Sequence, residues 1–298
     1  MSTASIKKLA IGSAQFGLDY GLSSIGQPVP EREVRSILEL AAQNDIELID
    51  TAAAYGTAEA VLGKTIDSDL NFRIVSKIPS TNSITGVQEK LGFIKECFEN
   101  SLEKLKRQNI HALLLHNADE LVENAGAAIF DLLEDWKQQG LVEKIGVSAY
   151  EHEKIEEIID RYQFDVIQIP INVFDQRLLS NEFLSGIKSR GIEIHARSAF
   201  LQGLLLITPE NLPRYFQPIE KHIASWHDFA RNIGLTPLEA ALIFLREIEE
   251  IDYIIVGTRS REQLEETIAS FQKDSTFDAS MLACEEVEFI DPRMWPAL

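Results

Sequence analysis

The sequence predicts an α/β protein folded as one (β/α)8 TIM barrel domain that spans residues 1–298. Three observations lead to this fold class. Eight short apolar runs recur along the chain, amphipathic segments separate them, and no glycine-rich linker or break in composition divides the chain. Most runs are continuously apolar, as expected of strands covered on both faces. Eight such strands alternating with helices favour a closed barrel over an open sheet.

The predicted strands are spread over most of the chain, each one a short apolar run. In chain order they cover residues 8–12, 46–50, 73–78, 111–116, 143–148, 165–170, 192–197 and 253–257. The last connection, 197–253, is longer than the others and is expected to hold an extra loop and helix.

Amphipathic segments between these runs predict the helices. The segment 30–45 begins with Pro30 and two acids, which is a helix-start signal. The segment 91–109 carries apolar residues close to the helical period. Further helices are expected over 124–139, 151–162, 217–233, 237–250 and 261–272, and the tail 274–298 should hold one short helix and an extended end.

The composition argues against several classes of protein. The net charge is −19, so a basic face for nucleic acid is not expected. The N-terminal apolar stretch is too short for a signal peptide, and no apolar run approaches the roughly 20 residues that span a bilayer. The two cysteines, Cys97 and Cys284, lie far apart, which fits a reduced, cytoplasmic protein. No histidine set suggests a metal site, and the oligomeric state stays open.

Polar side chains follow three neighbouring predicted strands. Asp50 ends the second strand and Tyr55 lies in the loop after it, within the stretch "DTAAAYG". Lys77 lies near the end of the third strand, and His116 ends the fourth. Because (β/α)8 barrels build their chemistry at the C-terminal ends of the strands, these four side chains should share one face.

Together these groups suit the reduction of a carbonyl. A phenol has an ordinary pKa near 10, and a neighbouring lysine is expected to lower the pKa of Tyr55. Asp50 would hold Lys77 and balance its charge, while His116 could orient a carbonyl oxygen. Tyr55 could then donate a proton to that oxygen as hydride reaches the carbon. Taken singly, each residue also has an ordinary structural explanation; their joint placement favours the functional one.

The stretches "DTAAAYG", "VSKI", "LLLH" and "GVSAY", in this order and at these strand ends, resemble the aldo-keto reductase family. The resemblance covers essentially the whole chain. It implies a (β/α)8 barrel that binds NADPH without a Rossmann fingerprint. It assigns the family's catalytic tetrad to Asp50, Tyr55, Lys77 and His116.

The same resemblance implies a set of cofactor-binding residues. Three positions depart from the family pattern: Ala149 stands where Asn is usual, Arg197 where a stacking tyrosine is frequent, and Thr267 replaces Asn. Arg259 suits a 2′-phosphate, which favours NADPH over NADH. The full implied set is Ser13, Asp50, Ser148, Gln168, Arg197, Ser198, Gly257, Thr258, Arg259, Gln263, Glu266 and Thr267.

Two other functions stay open at this point. One is a nicotinamide-nucleotide sensor or regulatory subunit with little turnover; the other is an unrelated barrel lyase or isomerase using Lys77 as a Schiff base. The stretches "GSAQFGLDYG" and "DPRMW" hint at a sugar-like substrate by resemblance to a bacterial branch of the family. Aromatic side chains expected in the pocket wall are Phe16, Tyr20, Phe174, Phe200 and Trp295.

Overall fold

The computed structural model describes residues 6–22, 26–67, 70–179 and 182–296. The first five residues and the last two, which belong to the predicted start and extended end of the chain, lie outside these ranges. Eight parallel strands form a closed barrel in chain order, with the last strand paired to the first. The predicted (β/α)8 barrel is confirmed.

All eight strands lie where the apolar runs predict them, with small differences at their ends. The second begins at Leu48, two residues later than predicted, and the fourth ends one residue before His116. The strands are β1 (Leu9–Gly12), β2 (Leu48–Asp50), β3 (Arg73–Ile78), β4 (Ile110–Leu115), β5 (Val142–Ser148), β6 (Val166–Pro170), β7 (Glu193–Arg197) and β8 (Tyr253–Gly257).

Helices connect the strands and cover the outside of the barrel. They are α1 (Ala14–Gly17), α2 (Glu31–Gln43), α3 (Ala58–Thr65), α4 (Val87–Leu105), α5 (Asp119–Val122), α6 (Gly126–Gln138), α7 (His152–Arg161), α8 (Phe183–Ser189), α9 (Glu220–Asn232), α10 (Pro237–Arg246), α11 (Arg261–Phe271) and α12 (Val287–Ile290). The longest, α4, ends where Lys106 adopts a left-handed φ of 52°. Within the described ranges, no helix is both long and apolar enough to cross a membrane.

The connection from β7 to β8 is the elaborated part of the fold. Three 3₁₀ segments, Leu201–Leu206, Pro209–Asn211 and Arg214–Ile219, precede α9 and α10. They enclose a second apolar cluster that includes the fully buried Trp226 and Phe216. The predicted extra loop and helix are therefore present, and the loop part rests on a core of its own.

The N-terminal end of the barrel is closed by a polar cluster. Arg73 donates a hydrogen bond to the Tyr253 hydroxyl at 2.6 Å, and Lys144 donates one to Glu193. His195 is fully buried, with Nε2 3.5 Å from Glu193 Oε2. Burial alone would raise the pKa of Glu193, but its contacts with His195 and Lys144 lower it to about 2. Because these side chains fill the N-terminal end of the barrel, a reaction is expected at the opposite, C-terminal end.

Candidate active site

A cavity of about 500 Å³ opens at the C-terminal ends of the strands. Strand register brings its floor together: Gly12 lies opposite both Asp50 and Gly257, and Ser148 lies opposite Gln168. Predicted site residues on the wall are Ser13, Asp50, Tyr55, His116, Gln168, Arg197, Ser198, Gly257, Arg259, Gln263, Glu266 and Thr267. The other three, Lys77, Ser148 and Thr258, are buried beside them.

The loop that carries Tyr55 is held by backbone hydrogen bonds on both sides. The Ala53 amide donates to the Lys77 carbonyl at 3.1 Å, and the Ala58 amide donates to the Tyr55 carbonyl at 3.0 Å. Gly17 lies so close that a Cβ built there would sit 2.0 Å from the Tyr55 carbonyl oxygen. A side chain at position 17 would therefore displace this loop, and glycine there is a requirement of the close contact.

Below the loop, Lys77 and Asp50 form a buried ion pair. Lys77 Nζ donates to Asp50 Oδ2 at 2.6 Å and to the Thr51 carbonyl at 2.9 Å. The second carboxylate oxygen, Oδ1, accepts from Gln168 Nε2 at 2.7 Å. The two charged side chains are 1% and 5% exposed. Lys77 is thus bonded to two acceptors and lies off the cavity wall, an unfavourable position for a Schiff-base lysine.

Tyr55 lies between this ion pair and His116. Lys77 Nζ lies 5.0 Å from the centroid of the Tyr55 ring, and the His116 ring makes an edge-on contact at 5.9 Å. The expected lowering of the Tyr55 pKa is not found in this structure, where the net shift is upward. Burial, and next the negative charge of Asp50, raise the pKa of Tyr55, while Arg197 opposes them. The phenol is therefore protonated at neutral pH.

His116 begins the loop after β4, where its amide donates to the Ile78 carbonyl at 3.0 Å. Burial, and then the positive charges of Lys77 and Arg197, lower the pKa of its imidazole to about 3. The side chain is consequently neutral at physiological pH. A neutral imidazole facing the cavity can donate one hydrogen bond to a carbonyl oxygen without adding a charge.

Several buried polar atoms on the wall have no partner among the residues that the structure describes. Ser13 Oγ and Gln168 Oε1 are two of them. A hydroxyl and an amide oxygen at the same strand-end level suit a ligand with both a donor and an acceptor, such as a carboxamide. Ser148 is less open, because its Oγ accepts from Arg197 Nε at 3.3 Å.

Arg197 is held by stacking on an aromatic ring. Its Cζ lies 4.0 Å from the centroid of the Tyr150 ring, and Arg293 lies over the same ring at 3.5 Å. Tyr150 itself lines the cavity. Tyr150 is not among the site residues that the sequence predicts, although it stands two positions after Ser148; its place after a strand end is the available signal.

The far end of the cavity is formed by β8 and the start of α11. The Arg259 amide donates to Gln263 Oε1 at 2.8 Å, and Arg259 Nη2 donates to the Gln27 carbonyl at 2.6 Å. Its other terminal nitrogen, Nη1, is buried and has no partner in the described part of the chain. Glu266 and Thr267 line the same end.

The aromatic wall differs from the expected one. Tyr20 and Phe200 line the cavity. Phe16 packs in the main core instead, and Phe174 and Trp295 belong to the second apolar cluster. Over the described ranges, no group of three or more His, Cys, Asp or Glu side chains could hold a metal ion.

Comparisons with known proteins agree with this architecture. The model of the Aldo/keto reductase family matches residues 8–287. An uncharacterized oxidoreductase of Bacillus subtilis, YqkF, is 24% identical, covering 88% of this chain and 90% of its own. An L-galactose dehydrogenase of Arabidopsis thaliana is also 24% identical, covering 95% and 91%. The holo form of an aldo-keto reductase from Bacillus halodurans has a similar fold, with a TM-score of 0.70 at 18% identity over 93% and 92% of the chains.

Proposed function

Because the chain belongs to the aldo/keto reductase family, whose members are oxidoreductases that use nicotinamide cofactors, we propose that it reduces an aldehyde or ketone with NADPH and that Tyr55 is the general acid. The observation that carries the proposal is the buried Lys77–Asp50 pair beneath Tyr55, with His116 beside the phenol. Burying an ion pair at the mouth of the barrel costs free energy unless both charged groups are well hydrogen-bonded.

Each of these residues has a different role at the reacting carbonyl. When bound, a nicotinamide cofactor would supply the hydride that the carbonyl carbon receives. Tyr55 holds its proton at neutral pH and transfers it to the carbonyl oxygen as negative charge develops there. The ammonium of Lys77, near the ring, stabilises the phenolate that remains. Neutral His116 donates a hydrogen bond that orients the carbonyl oxygen.

The unpartnered atoms of the wall fit a nicotinamide nucleotide. Ser13 Oγ and Gln168 Oε1 offer the donor and acceptor that a carboxamide requires. The buried, unpartnered Nη1 of Arg259 suits a phosphate, and a guanidinium binds phosphate through paired hydrogen bonds. That phosphate is assigned to the 2′-position, which makes NADPH the preferred cofactor. Gln263, Glu266 and Thr267 would surround the adenosine.

The experiment is a carbonyl panel with NADPH, run on the wild type and on Tyr55→Phe. The substitution removes one oxygen and keeps the ring between Lys77 and His116, so NADPH affinity should stay within about threefold. Turnover should fall by about 10²- to 10⁴-fold, the range for a general acid. A Tyr55→Phe protein that retained wild-type turnover would place the acid elsewhere, with His116 as the next candidate. A wild type that binds NADPH but reduces no carbonyl would favour the sensor function.

A further inference from the structure

Two arginines line the cavity, one at each end, and neither is paired with an acid among the residues that the structure describes. Arg197 lies at the end of β7 and Arg259 just after β8. Across the described ranges, no carboxylate oxygen lies within 4.0 Å of either guanidinium. Several other arginines of the chain do form ion pairs with a carboxylate. In a chain with a net charge of −19, an unpaired guanidinium in a cavity needs an explanation.

The contacts of Arg197 are weak ones. Its nitrogens lie 3.3 Å from Ser148 Oγ, 3.5 Å from Ser198 Oγ and 3.5 Å from the Ala149 carbonyl. Ordinary hydrogen bonds of this kind are 2.9–3.0 Å long. These neutral contacts position the guanidinium but leave its charge uncompensated.

The neighbour across Tyr150 shows the contrast. Arg293 contacts the same ring, but it is paired with Asp291 at 2.6 Å, and Glu151 lies 3.7 Å away. Asp291 is 2% exposed. Of the two guanidiniums that contact Tyr150, one is neutralised within the protein and the other, Arg197, faces the cavity.

The net charge at the end of the cavity that holds Tyr55 and His116 is therefore positive. Asp50 and Lys77 cancel each other, and His116 is neutral. The positive charge of Arg197 lowers the pKa of both Tyr55 and His116, so its influence extends to this end of the cavity. A guanidinium fixed on an aromatic ring binds a carboxylate or a phosphate through two parallel hydrogen bonds.

We propose that Arg197 is a specificity residue, which selects an aldehyde or ketone that carries an anionic group, carboxylate or phosphate, on the same molecule as the carbonyl. The inference rests on the proposed reductase function and adds the substrate class to it. The anionic group sets the substrate against β7, so that its carbonyl reaches Tyr55 and His116.

The test compares matched pairs of carbonyls at saturating NADPH. One pair is succinic semialdehyde and butanal, and the other is glyceraldehyde 3-phosphate and glyceraldehyde. In the wild type, kcat/KM should be about 10- to 100-fold higher for the anionic member of at least one pair, the range expected for a charge-assisted bidentate contact. The pair that shows the preference distinguishes carboxylate from phosphate. The preference should weaken as salt is added.

Three variants separate Arg197 from its surroundings. Arg197→Gln should bring the ratio within about twofold of one, and Arg197→Lys should retain part of the preference. Arg293→Gln is the matched control, since it removes the other guanidinium from the Tyr150 ring, and it should leave the ratio unchanged. The ratio cancels any common effect of a variant on NADPH binding or on the chemical step.

Other outcomes overturn the inference without affecting the reductase function. Equal kcat/KM for both members of both pairs in the wild type would do so, and so would a preference that survives Arg197→Gln. A loss of NADPH affinity in Arg197→Gln with an unchanged ratio would assign Arg197 to the cofactor. Binding is tested apart from turnover by calorimetric titration of succinate and of inorganic phosphate into the NADPH-loaded protein. Binding of either ion that is lost in Arg197→Gln supports the site even if no carbonyl is turned over; binding of neither ion overturns it.

Discussion

The buried ion pair of Lys77 and Asp50 leads to a quantitative prediction about the free energy of unfolding. Asp50→Asn keeps the shape of the side chain but leaves Lys77 with neutral partners at a position that is 1% exposed. Burial already lowers the pKa of Lys77, and the Asp50 carboxylate is the first group that opposes this. Without the carboxylate, the folded protein should hold Lys77 neutral.

The free-energy cost of holding Lys77 neutral in the folded variant has an upper limit. An unfolded lysine has an ordinary pKa of 10.5, so removing its proton at pH 7 costs about 5 kcal/mol, since one pKa unit is worth about 1.4 kcal/mol. Breaking a buried pair by removing one partner typically costs about 3–5 kcal/mol. We therefore expect Asp50→Asn to lower the free energy of unfolding by about 3–5 kcal/mol at pH 7.

The sign of the pH dependence follows from the same argument. In Asp50→Asn the folded state binds fewer protons than the unfolded state below pH 10.5, so the stability of the variant should rise with pH. The deficit relative to the wild type should shrink as the pH approaches 10. Urea unfolding followed by far-ultraviolet circular dichroism at pH 7 and pH 9.5 measures both quantities.

The double variant Asp50→Asn/Lys77→Met provides the control. It removes both charges, so it should recover much of the stability lost in either single variant while turnover stays lost. This separates the structural role of the pair from its catalytic role. A loss below about 1 kcal/mol in Asp50→Asn, or a double variant as unstable as the sum of the two single ones, would refute the reasoning.

Two further predictions concern opposite ends of the barrel. Arg259→Ala should lose roughly 1–3 kcal/mol of the preference for NADPH over NADH, measured as the ratio of the two dissociation constants; equal constants in the wild type would remove the assignment of the 2′-phosphate to Arg259. At the N-terminal end, the lowered pKa of Glu193 means that its contribution is complete above pH 4.5 and is lost as the pH falls towards 2. Glu193→Gln should therefore be less stable than the wild type at pH 7 by up to about 3 kcal/mol in urea unfolding, with the difference narrowing towards pH 3. A difference independent of pH would mean that the ionised carboxylate has no such role.

The sequence by itself was sufficient for the architecture. Most of the eight strands read as continuous apolar runs, as strands buried on both faces do, and this pattern located them. The helices α3 and α8 were missed because they have eight and seven residues, too few for a periodic pattern to stand out. The positions of Asp50, Tyr55, Lys77 and His116 at one barrel face also followed from the sequence, since parallel strands direct all their C-terminal ends to the same side.

Tertiary structure decided the electrostatics of the site. The sequence shows that Tyr55 has a lysine near it, but only the packing shows that burial and Asp50 raise the pKa of the phenol. Likewise, only the structure reveals that Arg293 is paired with Asp291 while Arg197 has no acid partner in the described part of the chain. The physical reason is that solvation and charge pairing depend on distances between residues far apart in sequence, whereas an apolar run is a local property of the chain.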